Sequence, residues 1–509
     1  MAVRMFAAID VGSYEVVMKI FEFTQRRGMH EIDCVRHRIE LGKDTYTMGK
    51  ISVGKMEELC MVLADFARIM NGYKVTSYRA CATSAVREAQ NRLLLVEHIR
   101  RTAGITMEIL DNAEQRFLDY KSIAFGEKEF GKIIQNGTAI VDVGSGSLQI
   151  CLFDKDKLVT TQNLRLGNLR VREKVADLAR QTVRMEAMVE ELINNELVSF
   201  KKMYLKDFQI KNLIIAGDYI LELLKKPSVE SSEFQEVYEK VTAMRPEEVA
   251  RAYGIAAESA SLILPSLTIY KRLIEELGAE VIWMPGLELS DGIAYDYAQK
   301  NKLIRAEHNF DDDIVAAARV IAKRYKCNNS HIKNLENLAL PIFDKVKKTA
   351  GLDNRQRLLL QIAVILHSCG KYINLSDAAQ CSYQIIQATE IIGLSQKERC
   401  VIANVVRYNT EDFTYEEIVG QSGMTAQDYL LISKLTAILR VANALDRSHK
   451  QKFSKVRLSV REGELAIHVD TLEDITLERG LFPPKADYFE EVFHIRPVIR
   501  QKKNKIGRG

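Results

Sequence analysis

Apolar and polar positions alternate with a strand period from the start of the chain. FAAID (6–10) is an apolar, β-prone run ending in Asp10, VGSY is a turn, and EVVMKIFEF (15–23) alternates well enough to return as a second strand. The first 25 residues therefore predict a hairpin. Residues 55–71 and 89–103 switch to helical spacing, with a short strand near 76–82 between them. Residues 105–110 read as another strand and 112–126 as a helix. At 138 the opening pattern returns, because TAIVDVGSGSLQICLFD is again strand, aspartate, Gly/Ser turn and strand. Asp10-Val11-Gly12-Ser13 and Asp142-Val143-Gly144-Ser145 are the same tetrapeptide about 130 residues apart. That repeat predicts two related lobes, each opening on the same hairpin. The second continues with strands near 158–165 and 212–216 and closes after MPGLELSDGIAYDYA (284–298).

From about 305 the period changes. DDDIVAAARVIAKRY, QRLLLQIAVILHSCG, SYQIIQATEII, QKERCVIANVVRY and LLISKLTAILRVANALDRS are successive amphipathic helices, an all-helical domain to about 450. Strands return at 455–468, with Gly463 at their turn, followed by a mixed segment. The last residues, RQKKNKIGRG, are basic and are expected to fray. The expected organisation is an α/β lobe at 1–128, a second at 129–302, a helical domain at 303–450 and a small α+β segment at 451–509.

Composition narrows the classes. With 509 residues there is room for about three domains of ~150. Apolar residues at 47% and charged residues at 28% exclude a disordered or collagen-like chain. No apolar run reaches the ~18 residues of a membrane span, and MAVRMFAAIDVGS meets acidic and turn residues too early for a secretory signal. Lys+Arg exceed Asp+Glu by 72 − 68 = 4, and no aromatic-basic stacking motif occurs, which disfavours a nucleic-acid binder. Eight cysteines form no C-x-x-C pair, so no zinc ribbon or thioredoxin-type site is written; reduced thiols in a cytoplasmic protein are expected. Eight prolines and no Ser/Gly-rich linker suggest domains that abut.

Two D-x-G-S hairpins facing each other have a definite chemistry. Glycine allows a turn with positive φ and close backbone approach. Successive turn N–H groups then cradle phosphate oxygens, to which a serine hydroxyl adds a donor. An aspartate before the turn is placed to hold Mg²⁺, which favours one or two carboxylates plus phosphates. One such turn is an ordinary hairpin; the duplication between apolar strands points to phosphate.

On these loops the chain resembles the acetate kinase, sugar kinase, Hsp70 and actin superfamily, and within it the exopolyphosphatase/guanosine pentaphosphate phosphohydrolase (Ppx/GppA) family. FAAIDVGSYEVVMKI (6–20), ATSAVREAQN (82–91), EILDNAEQRFLDY (108–120) and IVDVGSGSLQICLFD (140–154) carry the likeness. RLGNLRV (165–171) and MPGLELSDGIAYDY (284–297) add to it. LLLQIAVILHSCGKYIN (358–374) and LTAILRVANALDRSHK (435–450) resemble the family's helical domain, akin to metal-dependent phosphohydrolases with a His-Asp signature. The resemblance implies two actin-like (ribonuclease H-like) lobes, an HD-like helical domain and a small α+β C-terminal segment. It implies Mg²⁺-assisted water attack on the terminal phosphate of inorganic polyphosphate or guanosine pentaphosphate, in the cleft between lobes. Gly12 and Ser13 would form the first phosphate loop and Gly144, Ser145, Gly146 and Ser147 the second, with Asp10, Asp142 and position 149 near the metal. Arg87 would clamp a phosphate. A homodimer paired through the helical domain is also implied.

The departures bear on catalysis. Active members read S-G-x-E-E-A where this chain has Asp111, Asn112, Ala113, Glu114, Gln115 and Arg116. The presumed base is thus Gln115, and an amide cannot accept a proton at neutral pH. Gln149 stands where the second loop usually ends in an acid, Leu148 replaces the usual threonine, and Tyr14 the usual asparagine. A later G-A-S-G-T stretch appears as IAGDYIL (215–221), which keeps one glycine. Either Glu114 does the base's work, or the protein binds polyphosphate or guanosine tetraphosphate as a regulator. A sugar or carboxylate kinase would use the same loops but needs an adenosine pocket, for which only Ala216-Gly217-Asp218 is available, and has no use for the helical half. In that half Ser368 follows His367 where a His-Asp pair needs aspartate, and Gln380, Cys381 and Ser382 stand where a second histidine is expected. His367 is therefore expected to be a hydrogen-bonded core residue, not a ligand. Basic stretches at Lys345–Lys348 and Lys450–Lys452 are more simply solvated faces than a polyanion track.

Overall fold

The opening alternation becomes a hairpin: β1 (Arg4–Val11) pairs antiparallel with β2 (Glu15–Thr24), Asp10 facing Val17. The computed structural model describes residues 3–24, 28–179, 185–205, 208–217, 219–255, 257–304 and 308–501. They fall into two units, 1–309 and 310–509. In the first, β3 (Gly28–Arg38) extends the hairpin, and β4 (Ser77–Ala82) and β5 (Met107–Ile109) add parallel strands, in the order β3-β2-β1-β4-β5. The second sheet contains β6 (Thr138–Val143), β7 (Leu148–Asp154), β8 (Lys157–Leu164), β9 (Asn212–Ile215), β10 (Ser228–Glu230) and β11 (Val281–Trp283). Its order, β8-β7-β6-β9-β11-β10, repeats the β3-β2-β1-β4 arrangement of the first. The duplicated tetrapeptide is thus a duplicated topology, that of two actin-like lobes.

One face of the first sheet is covered by helices Val53–Gly72 and Arg92–Thr102, whose apolar stripes supply Leu59, Leu63, Phe66, Leu95 and Ile99 to the core. The other face is covered by Leu289–Lys300, which follows the second sheet in sequence yet buries Leu289, Ile293 and Ala298 against Phe6, Ala8 and Phe21. Helix Asn112–Gly126 packs beside it closely enough that a Cβ on Gly292 would lie 2.0 Å from the Leu118 carbonyl oxygen. The second lobe's core joins β6, β7 and β9 to helix Ala257–Leu277 through Val141, Ile150, Leu213, Leu267 and Tyr270. Asp218 lies outside the described residues.

The second unit is helical from Phe310 to Leu445. It closes on β12 (Val456–Arg461), β13 (Glu464–Val469) and β14 (Arg496–Gln501), with helix Pro483–Phe493 before the last strand. Glu462 and Gly463, both with positive φ, make the two-residue turn between β12 and β13. Arg500 and Gln501 are paired with β13 and do not fray, while residues 502–509 of the basic tail lie outside the described residues. His367 Nδ1 donates to the Val364 carbonyl (2.7 Å), and burial pushes its pKa down to about 3. Also in this core, His331 Nδ1 lies 2.7 Å from Asp446 Oδ2, with the His331 ring stacked on His449 at 3.7 Å.

Candidate active site

The two hairpin turns line one cavity of about 490 Å³ in the first unit. Gly12 and Ser13 stand on one side, Gly144 to Ser147 on the other, with Asp10 and Asp142 at the ends of β1 and β6. The expected positive φ is absent at Gly12, Gly144 and Gly146. What demands glycine there is proximity. A Cβ on Gly12 would sit 2.8 Å from the Glu15 carbonyl oxygen, and one on Gly146 2.1 Å from Tyr46 Oη and 2.3 Å from Ser84 Oγ. Gly144 is different, since its Cβ would meet nothing nearer than 3.5 Å. The Gly144 and Ser145 carbonyls accept from the amides of Asn168 and Arg170. Among the described residues the amides of Gly144 to Ser147 make no backbone hydrogen bond, so they are available to an anion.

Ser13 is engaged already. Its Oγ lies 2.8 Å from Tyr46 Oη and 2.9 Å from Ser84 Oγ, and accepts from the Ala85 amide. Tyr46 and Ser84 are 3.0 Å apart, closing a triangle of hydroxyls under the second loop. Arg170 lies over the Tyr46 ring at 4.0 Å, donates to the Gly146 carbonyl at 2.7 Å and pairs with Glu88 at 2.7 Å. The two loops are thereby joined across the cleft.

The cavity also concentrates carboxylates. Burial raises Asp10 well above the usual carboxylate range, with repulsion from Glu288, Glu15 and Asp142 added and Arg36 opposing. Burial likewise brings Asp142 up to about 7. A third acid, Asp119, lies on helix Asn112–Gly126, raised well above the usual range by burial and then by Asp142 and Asp10. Asp10 Oδ1 and Asp119 Oδ2 are sealed from solvent with no hydrogen-bond partner. Glu288 differs: burial would raise it, but Lys19 and Arg36 at 3.3 and 2.8 Å hold it below its ordinary value.

A phosphate-sized cradle of free amides beside unpaired acids fits the result of comparison with known proteins. A family model described as the Ppx/GppA phosphatase family matches residues 19–301, and one described as Ppx/GppA phosphatase, domain III, matches 315–481. The chain belongs to the Ppx/GppA phosphatase family. It is 20% identical over 481 residues to the guanosine-5'-triphosphate,3'-diphosphate pyrophosphatase of Photobacterium profundum, covering 91% of each chain. With the Aeromonas hydrophila protein of the same name it shares 20% over 452 residues, 86% of each. Among solved structures, an exopolyphosphatase from Cytophaga hutchinsonii matches 59% of this chain and all of its own at TM-score 0.52 and 19% identity. The Aquifex aeolicus family member matches 60% of this chain and all of its own at TM-score 0.50 and 19% identity.

The residues that the Ppx/GppA resemblance singles out do not all reach the cavity. Asp10, Gly12, Ser13, Gln115, Asp142, Gly144, Ser145, Gly146 and Ser147 line it; Arg87, Glu114 and Gln149 do not. Glu114 is the third residue of its helix and its Oε2 accepts from the Asp111 amide, while Asp111 Oδ1 accepts from the Glu114 amide. This capping box directs Glu114 at the helix end instead of the cleft. Arg87 donates to the Leu110 carbonyl at 2.7 Å and to Gln115 Oε1 at 3.4 Å, which ties it to the cavity wall. Gln149 faces Asp142 across the β6–β7 ladder but is only 2% exposed, with both amide atoms unpaired. Sequence reasoning missed Asp119, Tyr46, Ser84 and Arg170. Asp119 had one signal: it follows Gln115 by four residues, on the same helix face.

Mg²⁺ is compatible with this donor set. The unpaired Asp10 oxygen and the repulsion between Asp10 and Asp142 would be relieved by a cation. Among the described residues no three His, Cys, Asp or Glu side chains are grouped to hold a metal by themselves, so an ion here would draw further ligands from phosphate and water.

Proposed function

We propose that this protein hydrolyses a terminal phosphoric anhydride bond of inorganic polyphosphate or guanosine pentaphosphate in the cavity between its two lobes. The observation that carries the reading is the pair of duplicated loops with the free Gly144–Ser147 amides beside Asp10 and Asp142. It is supported by family membership and by relatives named for guanosine pentaphosphate and polyphosphate hydrolysis. Asp10 and Asp142 would hold Mg²⁺, which supplies positive charge to the phosphoryl oxygens when bound. The loop amides bind and orient the phosphates, and the hydroxyl triangle of Ser13, Tyr46 and Ser84 holds the two loops in register. The reading includes a cytoplasmic protein that pairs through its helical domain; among the described residues no helix is long and apolar enough to cross a membrane.

A second reading is favoured by Gln115, whose amide occupies the cavity wall where proton transfer would be needed. On it the protein binds polyphosphate or guanosine tetraphosphate without turnover. Phosphate release and equilibrium binding of polyphosphate, measured on one preparation with and without Mg²⁺, separate the two. Release above the buffer rate supports hydrolysis, whereas binding without release supports the regulator.

A further inference from the structure

Helix Asn112–Gly126 sends two polar side chains to the cavity, Gln115 and Asp119, one turn apart. The first is an amide whose Oε1 already accepts from Arg87. The second is a carboxylate only 7% exposed, with Oδ2 sealed from solvent and unpartnered. Leaving a buried acceptor without a partner costs about 1–3 kcal/mol, so a use for this side chain is to be sought in the cavity it borders. The other cavity acids have evident tasks or partners. Asp10 and Asp142 end the loop strands, while Glu15 and Glu288 pair with Arg36 at 3.0 and 2.8 Å. Asp119 belongs to neither loop: helix Asn112–Gly126 carries it to the border of the cavity that both loops line, near enough to Asp10 and Asp142 to feel their charge.

We propose that Asp119 is the catalytic carboxylate of this site, hydrogen-bonding the attacking water and taking its proton. The inference rests on the hydrolytic reading above. In the step, the water oxygen bonds to the terminal phosphorus as the bridging P–O bond breaks. The bridging oxygen keeps the electron pair and leaves on the shortened chain, Asp119 receives the water's proton, and orthophosphate is released. Relative to position 115 the carboxylate is displaced by one helical turn, about 5–6 Å along the axis. Gln115 then orients the water instead of deprotonating it.

The test is steady-state phosphate release from polyphosphate by the full chain, its Asp119→Asn variant and the double variant Asp119→Asn, Gln115→Glu. Polyphosphate binding and a thermal melt are measured on each. The expected result is a fall in kcat of at least ~100-fold in Asp119→Asn, with KM and binding within about threefold and the melt retained. Returning a carboxylate to position 115 should recover at least ~10-fold of it. A structural role for Asp119 would not produce that recovery. Asp119→Asn with kcat within threefold of the parent, or with binding lost in step with kcat, overturns the proposal. Should Asp119→Asn not fold, Asp119→Ala assayed with added formate replaces it: recovery with formate supports the proposal and its absence overturns it. A natural protein that binds polyphosphate and releases nothing overturns this inference together with the hydrolytic reading, whereas an active natural protein with an active Asp119→Asn overturns this inference alone.

Discussion

Gly146→Ala should damage the protein far more than Gly144→Ala, although the two glycines share one loop. A Cβ at 146 would lie 2.1 Å from Tyr46 Oη, 2.3 Å from Ser84 Oγ and 2.8 Å from Ser84 Cβ. Carbon and oxygen normally approach no nearer than about 3.2 Å, so one partner must move by about an ångström. Neither moves cheaply, because Tyr46 is bonded to Ser13 and Ser84 and lies under Arg170. Overpacking costs typically about 1–3 kcal/mol, and breaking two hydroxyl bonds adds about 1 kcal/mol each. The expected loss is about 3–5 kcal/mol, read as a shift in the urea midpoint at constant slope. Gly144→Ala, with nothing inside 3.5 Å, should fall within about 1 kcal/mol of the parent. Tyr46→Phe removes the atom at 2.1 Å and should recover part of the Gly146→Ala loss in the double variant. Equal midpoints for the two alanine variants, or no recovery with Tyr46→Phe, would refute the close packing of this loop on the first lobe.

Gly144→Val, whose methyl groups would enter the cavity, should abolish polyphosphate binding in a filter or titration assay while the melt is retained. The Asp142 carboxyl, raised by burial from 3.8 to about 7, contributes stability that is fully present below about pH 4 and lost as pH rises through 7. Asp142→Asn should therefore gain stability relative to the parent between pH 5 and pH 8, by at most about 4 kcal/mol, and a difference independent of pH counts against it. Glu114→Gln should leave phosphate release within about twofold, since glutamine serves a capping box as well as glutamate does; near-complete loss would return Glu114 to the role of base. Asp446→Ala leaves the buried His331 Nδ1 without its partner and should cost about 1–3 kcal/mol, while elemental analysis of the dialysed protein should find no stoichiometric transition metal in the helical domain.

The lobes were legible because their signal is periodic and duplicated: the apolar strands around Asp10 and Asp142 announce the same hairpin twice. Helix Asn112–Gly126 falls on the expected 112–126. Strand β3 was not legible, since GMHEIDCVRHR is an edge strand whose polar residues face solvent and leave no clean alternation. β10, β11 and β14 are short or basic, and their pairing is set by partners distant in sequence. The same limit applies to helix Leu289–Lys300, whose apolar face could not reveal that its partner is the first sheet. In the site, the loop positions follow from the tetrapeptide, but the reason for their glycines is tertiary: Tyr46, Ser84 and Glu15 crowd them. Glu114 looked like a reserve base because sequence registers identity and not direction, and its side chain is used at the helix end. Asp119, a lone acid inside RFLDYKS, gains meaning only when the helix is set against both loops.

The most direct test is orthophosphate release by the purified chain from polyphosphate and from guanosine pentaphosphate, with Mg²⁺ and with a chelator. The account predicts release from at least one of them that depends on Mg²⁺ and falls by at least ~100-fold in Asp119→Asn. Tight binding of both compounds with no release under either condition would contradict it.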